Sequence, residues 1–352
     1  MVDELSWQPL SALPRAYGPS LGTAKMRVSS EDFQVDEVLG FEPDGDGEHL
    51  LIHAKKQDTN TQWLAGQLAK YAGIPARDVS YAGLKDRYAV TSQWFSLRMA
   101  GKPEPDWSAW DLQQTELLGI YRHRRKLRRG ALRGNRFRVV LRSVQANRQL
   151  LQDRLERIRD EGMPNYFGEQ RFGHGYQNLR SFSDLFGDER RRIDRQRRGL
   201  YISAVRSQLF NEVLAERIRQ QSWADPLPGD YFILDGRRAG FTDDPEDDRL
   251  TERCLQQEIH PTGPLHGRGT MKVGGEVASL EQAVLQPFER WRLGLEQLGL
   301  EQERRPLRVR LDSLQWQFEA DDVLTLTFTL PAGAFATVLL RELMDVSSPT
   351  AN

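Results

Sequence analysis

The chain has 352 residues, 39% of them apolar, with a single cysteine and a formal net charge of −1. This composition excludes a disordered chain, and the length allows two domains with at least one sizeable core. One cysteine, Cys254, excludes a disulfide framework and a thiolate metal cluster. No run is long and apolar enough to span a bilayer, and the first residues lack the apolar core of a signal peptide, so we expect a soluble protein of a reducing cytoplasm.

The beginning of the chain is predicted to contain strands and one helix. Short alternating segments in MRVSSEDFQVDEVLGF (26–41) and EHLLIHAKK (48–56) are typical of strands. The segment TQWLAGQLAKYA (61–72) has the apolar spacing of an amphipathic helix, with Thr59 or Thr61 as its candidate cap.

Two later segments alternate as strands do. In the first, Phe95, Leu97 and Met99 lie two residues apart. In the second, GNRFRVVLRSV (134–144), one face is predicted to carry Asn135, Phe137, Val139 and Leu141.

The second half is predicted to be mainly helical. The three predicted helices are NRQLLQDRLERIRDEG (147–162), SAVRSQLFNEVLAERIR (203–219) and SLEQAVLQPFERWRLGLEQLGL (279–300). Ser279 and Gln282 form a capping-box pattern at the start of the third. Strand-like alternation returns after Arg308, and AFATVLLRELM (334–344) predicts a last helix.

Strands, then helices, then strands again predict an α+β fold in which a mainly helical module interrupts a domain built from both ends of the chain. The predicted parts are residues 1–154 for the first part of the main domain, 155–305 for the inserted module, and 306–352 for the second part of the main domain.

Charge is segregated along the chain. Residues 122–138 hold eight arginines and one lysine with no acid, and residues 190–198 hold six more arginines. Such runs are usually solvated surface, but aromatic residues between the arginines favour RNA, because guanidinium binds phosphate at two points and stacks on bases. The predicted RNA contacts are Arg124, Arg125, Arg128 and Arg129.

The sequence lacks the motifs of metal, cofactor and hydrolase chemistry. GTMKVGGE (269–276) has Glu276 where a phosphate-binding loop needs Ser or Thr, and the histidines do not cluster with acids at metal-ligand spacing. The acids of DDPEDD (243–248) are compatible with Mg²⁺, but their crowding beside Pro245 favours a solvated loop. We expect neither a metal nor a cofactor.

The stretch AGLKDRYAVTSQWFS (82–96) places Lys85, Asp86 and Arg87 between two strand-like segments. One interpretation is a tight hairpin turn, with Gly83 supplying the special backbone angles and the charges in water. The other is a carboxylate held in a cleft between two cations, which favour its ionised form. An oriented carboxylate of this kind can act as a nucleophile or base, which predicts an isomerisation or group transfer on RNA.

The same stretch resembles the signature of the TruD-type tRNA pseudouridine synthases. The resemblance covers nearly the whole chain, because six further segments are similar to blocks of that family in the same order. These are SSEDFQVDE (29–37), EHLLIHAKKQDTNT (48–61), GNRF (134–137), PNYFGEQRFG (164–173), SAVRSQLFN (203–211) and LPAGAFATVLLREL (330–343).

The resemblance implies a fold and an activity. The fold is a catalytic domain with a mixed, mainly antiparallel sheet flanked by helices, interrupted by the TruD insertion domain. The activity is isomerisation of a uridine of tRNA to pseudouridine, at tRNA position 13 in bacterial members, with the base flipped into a cleft between the two domains. No group enters or leaves, so no cofactor is needed. The expected partner is tRNA, without membrane or metal, and a monomer is expected.

The resemblance also implies site residues. Asp86 is the essential aspartate, and Phe33, Asn135 and Phe335 contact the target nucleoside. Asn135 has a turn role after a glycine as its alternative, and Phe137 is a further stacking candidate with a plain core role as its alternative.

Several polar residues are expected to support this site. Arg27 or Lys85 is expected to orient Asp86, and we favour Arg27 because a guanidinium holds a carboxylate at two points. Thr337 and the amides that open the last helix are expected to assist. Three residues of the fourth block shape the pocket or form a hinge ion pair, namely Glu169, Gln170 and Arg171.

The residues leave the chemical step and two other functions open. Asp86 is able to attack C1′, add to C6, or remove the 2′ proton. The arginine runs alone also fit an RNA-binding or chaperone protein without chemistry, and DDPEDD (243–248) fits a metal nuclease.

Overall fold

The structure is a computed structural model that describes residues 7–128, 130–186, 192–242, 249–311 and 313–349. The chain divides into two compact units. The first, here called the sheet unit, comprises Leu21–Arg148, Leu311–Ala332 and Met344–Asn352. The second, here called the helix unit, comprises Met1–Ser20, Gln149–Arg310 and Gly333–Leu343. The domain boundaries at residues 155 and 305 stay a prediction.

The strands of the described residues are numbered in chain order. They are β1 (Gly22–Met26), β2 (Phe33–Leu39), β3 (His49–Gln57), β4 (Val79–Tyr81), β5 (Val90–Arg98), β6 (Thr115–His123), β7 (Leu132–Ala146), β8 (Met163–Pro164), β9 (Tyr231–Leu234), β10 (Gly240–Thr242), β11 (Ile259–Leu265), β12 (Glu303–Pro306), β13 (Arg308–Val309), β14 (Gln315–Ala320), β15 (Val323–Pro331) and β16 (Asp345–Ser347).

The α-helices are numbered in the same way. They are α1 (Thr61–Tyr71), α2 (Arg148–Glu161), α3 (Gln177–Arg180), α4 (Arg195–Arg219), α5 (Leu250–Leu255), α6 (Gly275–Leu285), α7 (Glu289–Gln297) and α8 (Ala336–Leu343). Across the described residues, no helix combines the length and apolarity needed to cross a membrane.

The sheet unit is built on one large sheet. Its main strand order is β14-β15-β7-β2-β5-β3-β6. Off this path, β1 pairs with β7, β16 pairs with β1, and β4 pairs with β5. The β1–β16 and β2–β5 pairs are parallel, and the other described pairs of this sheet are antiparallel. The predicted mixed, mainly antiparallel sheet of an α+β fold is therefore confirmed.

The two faces of this sheet carry different side chains, because neighbouring residues of a strand point to opposite sides. Glu37 of β2 lies opposite Asn135 of β7, and these side chains define the front face. Asp36 lies opposite both Arg136 and Ser92, and these side chains define the back face.

The alternation predicted for the last long strand is confirmed. The front-face residues of β15 are all fully buried, namely Leu324, Leu326, Phe328 and Leu330. Further along the same face, Leu64 and Leu68 of α1 pack with Ile52 and Phe95 of the sheet. The core of the sheet unit therefore lies on its front face.

Helix α1 begins at Thr61 as predicted, but the prediction of Thr59 or Thr61 as its capping residue is wrong. The Asn60 side chain caps the helix by accepting from the backbone N–H groups of Gln62 and Trp63. Thr61 is not free to act as cap, because its hydroxyl accepts from the backbone N–H of Lys85 at 3.1 Å.

In the helix unit, α4 is largely buried and begins at Arg195 rather than at residue 203, because the Asp194 side chain caps it there. The capping box predicted at residues 279 and 282 is wrong, since α6 begins at Gly275 and the Ser279 hydroxyl donates to the Gly275 carbonyl inside the helix. The predicted helix is also interrupted at Gln286–Phe288, where Pro287 cannot donate a backbone hydrogen bond.

The helix unit also contains a small antiparallel sheet with the order β10-β9-β11-β12, which the sequence did not predict.

Candidate active site

Asp86 lies in the connection between β4 and β5, formed by residues 82–89. The two strands pair antiparallel, with Tyr81 opposite Phe95. Gly83 does not have a positive φ, so the prediction of special backbone angles there is wrong. A connection of eight residues can reverse the chain without such angles. The Asp86 side chain is 52% exposed, which leaves the carboxylate accessible from solvent.

Arg27 is the direct ionic partner of Asp86, with its Nη2 atom 2.5 Å from Oδ2. The expected two-point contact is not formed, because the guanidinium also lies over the ring of Phe33, 4.2 Å from the ring centroid. Arg27 has a φ of +58°, a left-handed conformation that costs a non-glycine residue about 1–3 kcal/mol. The ion pair and the ring contact hold the side chain in place against this strain.

Lys56 supports the Asp86 loop from inside the sheet. It is fully buried, and its Nζ donates to the backbone carbonyls of Thr59 at 2.7 Å and Asp86 at 3.0 Å. Burial lowers the pKa of Lys56 to about 8, while the negative charge of Asp86 acts in the opposite direction. This role of Lys56 was not predicted from the sequence, although Lys56 continues the period-two pattern of the buried residues Ile52 and Ala54.

A second buried charge, Glu37, lies on the front face of β2. Its Oε1 is 3.0 Å from Lys85 Nζ, and its Oε2 accepts from the backbone N–H of Trp94 at 2.8 Å. Burial raises the pKa of Glu37, and the Lys85 ammonium opposes that shift. Glu37 was also missed, and its signal is again alternation, because it follows the buried Phe33 and Val35 at intervals of two.

Lys85 therefore does not pair with Asp86, and it holds Asn135 instead. Its Nζ donates to Asn135 Oδ1 at 2.6 Å. An ammonium group can only donate, so it requires the amide oxygen of Asn135 on its side. Asn135 lies within β7, where it pairs with Glu37 and Leu330, so it is not the turn residue of the alternative interpretation.

The two predicted phenylalanines of the sheet unit are buried against each other. The rings of Phe33 and Phe137 meet edge to face at 6.1 Å, and Phe137 stacks on Phe328 at 5.3 Å. Phe137 therefore has the surroundings of a core residue. Phe33 differs because the Arg27 guanidinium covers its ring.

Phe335 belongs to the helix unit and directly precedes α8. Its ring meets Phe167 edge to face at 6.1 Å and lies 5.9 Å from the guanidinium carbon of Arg171. The guanidinium of Arg305 covers Phe167 at 4.0 Å and donates to the Gly333 carbonyl at 3.0 Å. Two guanidinium groups therefore lie beside these rings, and burial together with the charge of Arg171 lowers the pKa of Arg305.

The predicted polar residues of the fourth block make hydrogen bonds within the helix unit. Gln170 Nε2 donates to the Thr337 hydroxyl at 3.3 Å, which ties it to the start of α8. Glu169 accepts from the Tyr176 hydroxyl at 3.3 Å, and Arg171 donates to the Ser203 hydroxyl at 3.1 Å.

The arginine run of residues 122–138 includes the end of β6, a loop and the first half of β7. In the loop, Arg124 forms a two-point ion pair with Asp46, with both N–O distances at 2.8 Å. Arg125 and Arg128 line a pocket of about 830 Å³. Arg129 lies outside the described residues.

The second arginine run falls partly outside the described residues, because the description resumes at residue 192. Arg195, Arg197 and Arg198 lie in the first turn of α4. Cations at a helix N-terminus oppose the helix dipole, so helix stability does not explain this placement.

Metal chemistry has no candidate site in the part of the chain that the structure describes, where no three His, Cys, Asp or Glu residues come together. The acidic segment 243–248 lies outside the described residues. Cys254 is buried, which raises the pKa of its thiol to about 12 and keeps it unreactive.

Comparison with known proteins gives concordant matches. The family model described as tRNA pseudouridine synthase D (TruD) matches residues 19–183 and 177–343. A tRNA pseudouridine synthase D of Methylococcus capsulatus is 48% identical over 333 residues, covering 95% of this chain and 94% of the relative. One of Hydrogenovibrio crunogenus is 44% identical over 337 residues, covering 96% and 97%. A crystal structure of a candidate TruD from Methanosarcina mazei superposes with a TM-score of 0.73 at 20% identity, covering 97% of this chain and 96% of that one.

Proposed function

The chain belongs to the tRNA pseudouridine synthase D (TruD) family, as its motifs predicted, and we propose that it isomerises a uridine of tRNA to pseudouridine with Asp86 as the catalytic group. The observation that carries this proposal is the exposed Asp86 carboxylate, which is paired with Arg27. The preceding residue in the same loop, Lys85, binds Asn135. By the same resemblance, the target is expected at tRNA position 13, in the cytoplasm.

The target uridine has to leave the stack of its RNA before a side chain can reach the glycosidic bond. Extrusion costs a few kcal/mol, and stacking on a protein ring or guanidinium returns about 1–3 kcal/mol per base. The stacked pair of Arg27 and Phe33 offers such a surface next to Asp86.

Asn135 is suited to recognise the edge of uracil. Since Lys85 occupies its Oδ1 atom, its NH₂ group remains to donate to a uracil carbonyl oxygen. Cytosine presents an amino group where uracil has O4, and two facing donors repel each other. The Glu37–Lys85 pair, which sets the orientation of this amide, therefore contributes to the choice of base.

The reaction balances without any added group. The N1–C1′ bond breaks, a C5–C1′ bond forms, C5 loses its proton and N1 gains one, so nothing is oxidised and no cofactor is proposed. Attack at C1′, addition to C6 and removal of the 2′ proton all begin from the same carboxylate. Among the described residues the contact to this carboxylate is Arg27 at Oδ2, which leaves Oδ1 to meet the nucleoside.

The test is tritium release from tRNA labelled at C5 of uridine, measured with Asp86→Asn. We expect no release above background, while Asp111→Asn, which removes the same charge from an exposed loop of the same unit, keeps the wild-type rate. Normal turnover by Asp86→Asn contradicts the assignment. Nucleoside mapping of the product tRNA separates the alternative of an RNA-binding protein, which would leave every uridine unchanged.

A further inference from the structure

A second concave site lies within the sheet unit, on the face opposite Asn135. It is a pocket of about 600 Å³ whose lining includes back-face side chains of five strands. These lining residues are Asp36, His53, Ser92, Trp94, Tyr121 and Arg136. Because Arg136 and Asn135 are neighbours in β7, their side chains point to opposite sides of the sheet. The pocket therefore opens on the opposite side of the sheet from Asn135, although it shares Glu37 with the candidate active site.

Aromatic rings line this pocket across three adjacent strands. His53 of β3 and Trp94 of β5 lie directly opposite each other and stack, with their centroids 4.4 Å apart at an angle of 4°. The Tyr121 ring of β6 follows 5.8 Å from Trp94 and is 45% exposed. Rings displayed side by side on an open sheet are the arrangement on which unpaired bases stack.

Gly119 allows the Tyr121 ring to lie down on the sheet. A Cβ atom added at Gly119 would come within 2.6 Å of the Tyr121 hydroxyl oxygen and 2.7 Å of its Cε2. Such approaches do not occur in proteins, so only glycine leaves room for the ring at this position. Gly119 does not have a positive φ, so space beside Tyr121 rather than backbone conformation is what requires glycine.

The carboxylates of the pocket suit a base better than a phosphate, whereas Arg136 adds one cation to the same lining. Asp36 accepts from the Ser92 hydroxyl at 2.6 Å, and both present oxygen atoms to the pocket. Glu42 adds a second carboxylate to the lining. Carboxylates repel phosphate but accept hydrogen bonds from the amino groups of bases.

A basic pocket adjoins the aromatic one and shares Phe41 and Glu42 with it. This is the pocket of about 830 Å³ that is lined by Arg125, Lys126 and Arg128. The combination of an aromatic floor with a neighbouring basic groove is typical of single-stranded nucleic acid sites.

We propose that the two adjoining pockets form a second RNA site on the back face of the sheet. An unpaired base stacks on Tyr121 beside Trp94, and the flanking phosphates meet Arg125, Lys126 and Arg128. The inference rests on the proposed function for the identity of the RNA, which is an unpaired segment of the substrate tRNA. The site increases tRNA affinity without taking part in the chemical step.

The test measures the affinity of the full-length protein for a fluorescein-labelled tRNA transcript and for a labelled single-stranded RNA of ten nucleotides. Loss of one stacked base, worth about 1–3 kcal/mol, corresponds to a loss of affinity of about 5- to 150-fold for Tyr121→Ala. Gly119→Ala should weaken binding in the same direction by displacing the ring, and Tyr121→Phe should bind as the wild type does. The matched control is Trp63→Ala, which removes a ring of similar exposure (46%) from α1.

Unchanged tRNA affinity of Tyr121→Ala overturns the proposal, as does an equal loss in Trp63→Ala. If Tyr121→Ala does not fold, Gly119→Ala decides, because it keeps the tyrosine. At saturating enzyme, the single-turnover rate of Tyr121→Ala should equal that of the wild type. A fall in this rate without a change in tRNA affinity also overturns the proposal. Failure of the proposed function is distinguishable, since it appears as turnover by Asp86→Asn and leaves the Tyr121 binding result intact.

Discussion

The buried ammonium group of Lys56 provides a direct test of how the Asp86 loop is held. The perturbation is Lys56→Met, which keeps a long unbranched side chain and removes the donor to the Thr59 and Asp86 carbonyls. Each buried acceptor left without a partner costs about 1–3 kcal/mol, so the two together cost about 2–6 kcal/mol.

A second contribution has the opposite sign. Burial lowers the pKa of Lys56 from 10.5 to about 8, which corresponds to about 3 kcal/mol spent at neutral pH to keep the ammonium charged. Methionine avoids this cost, so the net loss of stability at pH 7 should be small. Between pH 8 and 10.5 the unfolded chain still binds the proton while the folded protein has released it. Wild-type stability therefore rises with pH in this window, and that of the variant does not.

The expected result is a stability difference between wild type and Lys56→Met that is about 1.4 kcal/mol larger at pH 9 than at pH 7. It is measured by urea unfolding at the two pH values. The control is Lys55→Met, since Lys55 points to the other face, is 50% exposed, and lies 3.9 Å from Glu116 in a surface pair worth about 0–1 kcal/mol. A difference that stays constant with pH, or one that Lys55→Met reproduces, refutes the reasoning.

Two further predictions concern binding and the buried ion pair. The double variant Arg125→Gln and Arg128→Gln should reduce the slope of log affinity for tRNA against log salt concentration by about 0.7–0.9 per lost phosphate contact. Arg124→Gln should change this slope less, because Asp46 already neutralises that arginine. Equal slopes for the wild type, the double variant and Arg124→Gln would place the run away from RNA. Lys85→Met should destabilise the protein by about 3–5 kcal/mol by leaving the buried Glu37 carboxylate unpaired, and adding Glu37→Gln should recover part of that loss in urea unfolding. A strictly additive double variant would exclude coupling between the two residues.

Alternation and helical spacing were enough to predict much of the fold. The alternation of β15 and the helix α8 were predicted from period-two and period-3.6 patterns, because each element has one apolar face. The β11 strand was missed because its sequence, IHPTGPL, contains two prolines and a glycine, which are depleted in strands. Tertiary pairing with β9 and β12 nevertheless places it in a sheet.

The candidate site was predictable only in part. The triplet at Asp86 was singled out because charged residues between apolar segments are unusual in a sequence. Arg27 was proposed as the partner of Asp86 from the two-point contact that a guanidinium makes with a carboxylate, and it pairs with Asp86 without forming that contact. Lys56 and Glu37 were missed for the converse reason, since a single charged residue at a strand end is normally placed on the surface. Alternation places both residues on the buried face, but their pairing with the Asp86 loop and Lys85 joins distant parts of the chain, which no local pattern reveals.

The positions of these buried charges argue that the front face is organised around the Asp86 loop. Glu37, Lys56 and Lys85 each lose hydration on burial, and apolar residues of similar size at such positions are often as stabilising or more so. Stability alone therefore does not explain three of them beside one face of the sheet. Each of them makes at least one contact to the backbone of Asp86, to Asn135, or to another member of the group. Their shared effect is to fix the Asp86 loop and the orientation of the Asn135 amide. Burying these charges lowers the stability of the fold, and the fixed position of these two groups is what the protein gains from it.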